Sequence, residues 1–253
     1  MLKITNLQKS FRDNLNHQVE IFKNFNLEIS KGEFVAIFGP NGCGKTTLLN
    51  LIAGVDKADG GEIIFDDRKT KIAFIFQNYR ESLFPWLSVI DNISYPLKLQ
   101  GVPIEKRREQ AKSLCVRFGV TISLESYPYT LSGGQQQLVT ILRALITQPD
   151  IILLDEPFSS LDYQTNLFML NKIQEIWRET GITFVFVSHD IDEAIFLSQR
   201  LILLSNKPTI VAKTISNSLS YPRTTHQMGA PEFSKLKHEA IDIFVKQINN
   251  KII

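Results

Sequence analysis

The feature that most constrains this chain is the octapeptide Gly39-Pro40-Asn41-Gly42-Cys43-Gly44-Lys45-Thr46, which follows the unbroken apolar run Phe34-Val35-Ala36-Ile37-Phe38. A run apolar at every position reads as a strand covered on both faces, as in a mostly parallel sheet flanked by helices. The octapeptide fits G-x-x-x-x-G-K-[ST]. Its glycines let successive backbone N–H groups turn toward an anion. The helix expected from Lys45 to about Ala53, stopped by Gly54, aims its positive end at the same point. In such a loop Lys45 neutralises β- and γ-phosphates, and the Thr46 hydroxyl binds Mg²⁺. The alternative is a glycine-rich strand-to-helix turn without a ligand; the strand before and the helix after favour the cradle. A dinucleotide fingerprint is less well supported, because Thr47 stands where its third glycine belongs.

Residues 1 to 38 read as β-rich, with Ile21, Phe22, Phe25, Leu27 and Ile29 in short alternating runs. Glu62 to Phe65 and Ile72 to Phe76 read as further strands, and strands return at Ile151, Thr183 and Leu201 with helical stretches between them. That alternation predicts a parallel sheet with right-handed crossovers. Between about Ser88 and Gly119 the pattern turns helical, and Ile104 to Phe118 places Ala111, Leu114, Cys115 and Phe118 on one face. The expected fold is α/β: a P-loop core with a mainly parallel sheet, an N-terminal antiparallel β subdomain, and an inserted helical subdomain at about 86–145. The core is expected to span residues 1–215. A C-terminal extension, 216–253, should begin as a polar loop and end in an amphipathic helix from Glu232 to Ile248.

Ile151-Ile152-Leu153-Leu154-Asp155-Glu156 is an apolar strand ending in two acids. At the C-terminal edge of the sheet, Asp155 can hold the Mg²⁺ shell and Glu156 can orient an attacking water. A solvated strand end is the plain alternative. Leu131-Ser132-Gly133-Gly134-Gln135 precedes a helix expected from about Gln136 to Ile146, and offers a second hydroxyl-and-amide anion site or simply a capped helix start.

Composition narrows the function classes. Lys+Arg minus Asp+Glu is 28 − 26 = +2 over 253 residues. That balance argues against nucleic acid or anionic lipid as the principal partner. No stretch approaches the roughly 18 apolar residues of a membrane span. Nor does the N-terminus have a signal-like build. The expectation is a soluble chain whose membrane role comes through a partner. Two cysteines, Cys43 and Cys115, exclude a disulfide framework. Cys43, in the loop before a helix N-terminus, is expected to favour the reactive thiolate.

These motifs, in this order and over nearly the whole chain, resemble the nucleotide-binding subunit of ATP-binding cassette transporters. The resemblance implies ATP and Mg²⁺ as ligands. It implies a cradle from Gly39 through Pro40, Asn41, Gly42, Cys43, Gly44 and Lys45 to Thr46 and the adjoining Thr47. Gln77 matches the glutamine loop and would contact metal or water. Ser132, Gly133, Gly134 and Gln135 match the signature, and Asp162 in Ser160-Leu161-Asp162 matches the D-loop. Glu156 would be the catalytic carboxylate, with Lys45 and the switch histidine His189 assisting, and Thr46, Gln77 and Asp155 would serve the metal. Phe11 would stack on adenine, unless it is a core residue. Gln77 and His189 are alternatively plain strand-end residues, and Asp162 a helix cap.

Within that family, Pro85-Trp86-Leu87-Ser88-Val89, Asp91-Asn92-Ile93 and the tail Tyr221-Pro222-Arg223 look like the nitrate/sulfonate/taurine/bicarbonate importer group. The resemblance implies a head-to-tail homodimer on the cytoplasmic face of the cell membrane, bound to permease subunits and indirectly served by a substrate-binding protein. It implies no nucleic-acid partner. Rival readings are a cassette ATPase not linked to transport and a nucleotide-sensing regulatory module; Glu156 and His189 argue against the latter. Trp86 either packs the helical subdomain or forms part of the groove for a permease helix.

Overall fold

The computed structural model describes residues 1–13 and 15–249. Residues 250–253 of the expected C-terminal extension lie outside them. In chain order the elements are β1 (Leu2–Arg12), β2 (Gln18–Ile29), β3 (Phe34–Phe38), α1 (Lys45–Ile52), β4 (Gly60–Phe65) and β5 (Ile72–Ile75). The helices α2 (Tyr79–Ser82), α3 (Val89–Leu99), α4 (Ile104–Arg117) and α5 (Gly133–Leu145) follow. Then come β6 (Ile151–Asp155), α6 (Tyr163–Thr180), β7 (Thr183–Val187), α7 (Ile191–Leu197), β8 (Arg200–Leu204), β9 (Val211–Ser216) and α8 (Pro231–Asn249).

Two sheets form. A three-stranded antiparallel sheet has the order β2-β1-β4, and a six-stranded sheet has the order β5-β6-β7-β3-β8-β9, parallel except where β9 runs antiparallel to β8. The apolar pattern of the sequence does not mark β9. The central strands explain their own sequences. In β3, Phe34, Ala36 and Phe38 join the core on the helical side, while Val35 and Ile37 join the core beneath the antiparallel sheet. Phe184 and Phe186 of β7 face the first core and Val185 and Val187 the second; Ile152 and Leu154 of β6 divide likewise from Ile151 and Leu153. Strands lined on both faces must be apolar at every position, hence the unbroken runs. Each such Phe, Leu or Val side chain contributes about 1.5–3 kcal/mol by leaving water.

Several boundaries move. Phe76 lies outside β5 and is 47% exposed at the sheet edge, stacked on Phe74. Helix α5 begins three residues earlier than the hydrophobic pattern alone predicts. Ser132 is its N-cap, accepting from Gln135 N while its own N–H donates to Gln135 Oε1, so the two signature glycines sit in the first turn. Helix α4 buries Ala111 and Cys115 as expected, with Phe118 just beyond its end.

Candidate functional site

Chain direction places the chemistry. In parallel strands β6, β7, β3 and β8 the C-terminal ends share one edge, where loop residues collect. β3 ends there in the Gly39–Gly44 loop, β6 in Asp155 and Glu156, and β7 in Ser188 and His189. A cavity of about 480 Å³ opens at this edge, lined by Asn41, Gly42, Gly44, Lys45, Thr46 and Thr47 of the loop and first turn, together with Phe11, Ile21, Gln77, Glu156 and Lys207.

The loop is shaped for close approach. Gly44 has φ +113°, and a Cβ there would come within 2.5 Å of Ile21 Cγ2, so only glycine lets the loop pack on β2 at this point. Lys45 is buried, with its ammonium donating to Gly39 O (3.0 Å) and Pro40 O (3.3 Å). Gly39 and Pro40 are themselves buried beneath the loop, while Asn41, Gly42 and Thr46 are open to the cavity.

One expectation fails at Cys43. Its thiol points into the core beneath the antiparallel sheet, 2% exposed, and burial pushes its pKa up against the opposing pull of Lys45. The helix N-terminus does not make it a reactive thiolate, because desolvation of the charged form outweighs the nearby positive charge.

Glu156 is the junction of the site. His189 Nδ1 lies 2.9 Å from its Oε2, and Gln77 Nε2 reaches the same oxygen at 3.4 Å. Residues 33 and 79 positions away in sequence therefore converge on one carboxylate oxygen. The Glu156 backbone occupies the left-handed region at φ +44°, held by its N–H donating to Val187 O at 2.9 Å. A non-glycine residue in this region costs about 1–2 kcal/mol, and the turn swings the carboxylate into the cavity.

Asp155 is 3% exposed, and its Oδ1 has no hydrogen-bond partner among the described residues. Burial raises its pKa, with Glu156 adding to the rise, while a Thr46 hydrogen bond and the Lys45 charge oppose it. A buried carboxylate oxygen without a partner, beside a threonine hydroxyl, is a donor set of the hard-oxygen type that suits Mg²⁺. The residues fit: Asp155 and Thr46 would hold the ion. Bound there, it would neutralise charge developing on phosphate oxygens.

Phe11 is 44% exposed and faces the cavity, so it is not a core residue; Lys9 Nζ lies 4.8 Å from its ring centroid. The signature is elsewhere. Ser132, Gly134 and Gln135 line a second cavity with Gln164, Thr165 and Phe168, and Gly133 starts the same helix. Asp162 caps α6, accepting from Thr165 N at 3.0 Å and Thr165 Oγ1 at 2.6 Å. Within one chain, then, Ser132, Gly133, Gly134, Gln135 and Asp162 do not join the cradle.

Reasoning from sequence missed what fixes the segment after Gln77. Asn92 is fully buried on α3; its amide donates to Phe84 O, Leu87 O and Ser88 O, and its Oδ1 accepts from Phe84 N. Arg143 donates to Ser82 O. These bonds hold Trp86 outward, 70% exposed, rather than in the helical core. A buried Asn among apolar neighbours is the signal: it requires backbone partners. The segment 188–193 was likewise legible only at His189. Buried Glu193 binds Ser188 Oγ at 2.6 Å and Asn166 Nδ2 at 2.7 Å, tying the histidine loop to α6.

Strand order, cradle and the acid pair define a P-loop nucleoside triphosphatase. Comparison with known proteins narrows the class. The ABC transporter family profile matches residues 22–159. An ABC transporter ATP-binding protein of Methanocaldococcus jannaschii is 39% identical over 239 residues, 92% of this chain and 88% of that protein. The aliphatic sulfonates import ATP-binding protein SsuB of Bacillus cereus is 41% identical over 222 residues, 86% of each. Among solved structures, a dimeric ATP-binding cassette in a post-hydrolysis state with ADP and Pi matches with a TM-score of 0.74 and 34% identity, over 87% of this chain and all of that one. The cbiO1 protein of Clostridium perfringens, part of an ABC transporter complex, matches with a TM-score of 0.75 at 25% identity, over 95% of this chain and 92% of that one. The chain belongs to the ABC transporter family of ATP-binding proteins, and it is an ATPase.

Proposed function

We propose that this chain is the ATP-hydrolysing subunit of an importer of small oxyanions of the nitrate, sulfonate or taurine type, working as a head-to-tail homodimer bound to membrane permease subunits. The observation that carries the reading is the separation of two half-sites. Cradle, acids and His189 share one sheet edge, while the signature serine and glycines lie at another cavity. Two copies placed head to tail would join each cradle to the partner's signature. The dimeric cassette supports the pairing of two copies, and the sulfonate-import relative supports the import role. No helix among the described residues is long and apolar enough to cross a membrane. In this reading attachment to the cytoplasmic membrane face is through permease subunits. The surface we assign to them is Trp86 with its clamped segment. A substrate-binding protein would act on the permease, not on this chain.

Phe11 stacks on adenine in the same reading, while Gly39 to Thr47 and Lys45 hold the phosphates. Thr46, Asp155 and Gln77 serve Mg²⁺. Glu156, oriented by His189 and Gln77, accepts the proton of the attacking water. The charge on the transferring phosphoryl group is met by Lys45 and loop N–H groups already in place, and stabilisation of this kind supplies most of the rate enhancement in phosphoryl transfer. Residues 86–145 act as the helical subdomain carrying the signature, and 216–253 as a C-terminal extension.

The test is assembly. Co-expression with its permease should place the chain in the membrane fraction, with ATPase stimulated by binding protein loaded with a sulfonate. Co-sedimentation with ribosomes, and no stimulation by any loaded binding protein, would refute the transport reading. Lys45→Ala tests the cradle itself: nucleotide affinity should fall by more than about tenfold, and unchanged ATP binding by calorimetry would overturn that assignment.

A further inference from the structure

We propose that Lys207 is a further nucleotide-binding residue, set beside the cradle to meet the α- and β-phosphates of the bound nucleotide. The inference rests on the reading that the cradle holds ATP. Lys207 follows β8 on the loop 205–210 and lines the same cavity as Lys45, Thr46 and Glu156; among the described residues these two lysines are the cations of that lining, and Glu156 is its acid.

Sheet order assigns the end of the nucleotide. Glu156 follows β6 and His189 follows β7, both on one side of β3 and its loop. The water-activating end of the cavity, hence the γ-phosphate, lies toward that side. β8 adjoins β3 on the other side, and Lys207 comes off it. Phe11 and Ile21 line the cavity from β1 and β2. Between base and γ-phosphate stand the α- and β-phosphates.

The loop carrying Lys207 is fastened to the cradle. Buried Thr209 donates its hydroxyl to Cys43 O, inside the octapeptide, and its N–H to Ile21 O at 2.7 Å on β2. Ser205 and Ile210 close the loop, Ile210 N donating to Ser205 Oγ and Ser205 N to Ile210 O. Asn206 Nδ2 donates to Gln247 O of α8, so the C-terminal helix braces the loop from behind. The charge is felt at the cradle: Lys207 opposes the effect of burial on the Cys43 thiol. Yet the Lys207 ammonium has no ion pair or hydrogen bond among the described residues, unlike Lys9, which is paired with Asp56. A free cation on a pinned loop, inside a cavity built for a polyanion, adds attraction without losing an existing partner.

The experiment is calorimetric titration of the isolated chain with MgADP and MgATP, for wild type and for Lys207→Ala, Lys207→Arg, Lys207→Glu and Lys45→Ala. Melting temperature serves as the folding check. Lys207→Ala should weaken both nucleotides equally, by about fivefold, as expected for a partly solvated charge contact. Lys207→Arg should restore most of that affinity, Lys207→Glu should weaken it further, and high salt should shrink the difference. Unchanged affinity in Lys207→Ala, or a loss seen only with Glu, would overturn the contact. A loss confined to MgATP would place the ammonium at the γ-phosphate and overturn the assignment made above. Failure of Lys45→Ala to lose binding would instead overturn the cradle reading, independently of Lys207.

Discussion

His189 Nδ1 sits 2.9 Å from Glu156 Oε2, across the gap between the ends of β7 and β6. The pair has a half-exposed histidine and a carboxylate only 18% exposed. It is built from two loops that the sheet brings side by side, since Asp155 of β6 pairs with Val187 of β7. Nδ1 of the imidazole is thereby committed to Glu156, and His189 holds that carboxylate in place at the edge of the sheet.

Trp86→Ala should leave the isolated subunit intact. The indole is 70% exposed, with Phe84 at 5.5 Å between ring centroids as its aromatic contact. Truncation should change stability by no more than about 0.5 kcal/mol, the range for exposed positions, rather than the roughly 3–5 kcal/mol of a buried tryptophan. Melting temperature and basal ATPase should match wild type, while stimulated ATPase of the assembled transporter should fall. A subunit that melts far lower would show that the indole is structural.

Asp155→Asn separates metal chemistry from fold. Burial raises the Asp155 pKa above the ordinary carboxylate value. A raised acid contributes stability that is full below its unfolded pKa and lost as pH rises through the folded one. Without Mg²⁺, wild type should therefore lose stability relative to Asp155→Asn as pH rises from the ordinary carboxylate range to the raised value. Added Mg²⁺ should narrow that gap for wild type only. Thermal melts across this range, in chelator and in Mg²⁺, check both statements. A stability difference in chelator that does not shift toward the variant as pH rises, or that Mg²⁺ leaves unchanged, would count against them.

Gly134→Ala should strain the contact between α5 and α6. A Cβ at this position would lie 2.2 Å from Thr165 Cγ2, and Thr165 also holds Asp162 through its hydroxyl. Overpacking of this kind costs about 1–3 kcal/mol. Thr165→Ser keeps the hydroxyl and removes the obstructing methyl, so the double variant should recover most of the loss. Melting of the four proteins in the cycle gives the coupling energy. An additive pair would mean that the two helices are not in the contact described.

Legibility followed from how local each signal is. The P-loop could be read because its glycines, lysine and threonine act within eight residues, between a strand and a helix that announce themselves by apolar pattern. Glu156 and His189 could be read as strand-end groups, but their contact depends on β6 and β7 being neighbours, which no local pattern encodes. β9 escapes sequence reasoning because Val211–Ser216 is a short edge strand, half its residues polar and only Ile215 buried, so no apolar run or clean alternation marks it. Cys43 misleads because its loop position suggests exposure. The thiol in fact turns inward toward Leu48, Leu49 and the strands of the second core. Lys207 carries no motif, and the run containing Asn92 does not announce its hydrogen bonds; both roles emerge only when Cys43 and Phe84 are brought to them by the fold.

Central to the proposed mechanism, Glu156 activates the water in a site completed by a second copy of the chain. Glu156→Gln is the direct measurement: analytical ultracentrifugation with MgATP, beside single-turnover hydrolysis on the same sample. The amide keeps the size of the side chain and its contacts with Gln77 and His189, but removes the base. The expected result is an ATP-dependent dimer and hydrolysis reduced by about 10²–10⁴-fold. A variant that hydrolyses ATP near the wild-type rate, or that stays monomeric while saturated with MgATP, would contradict it.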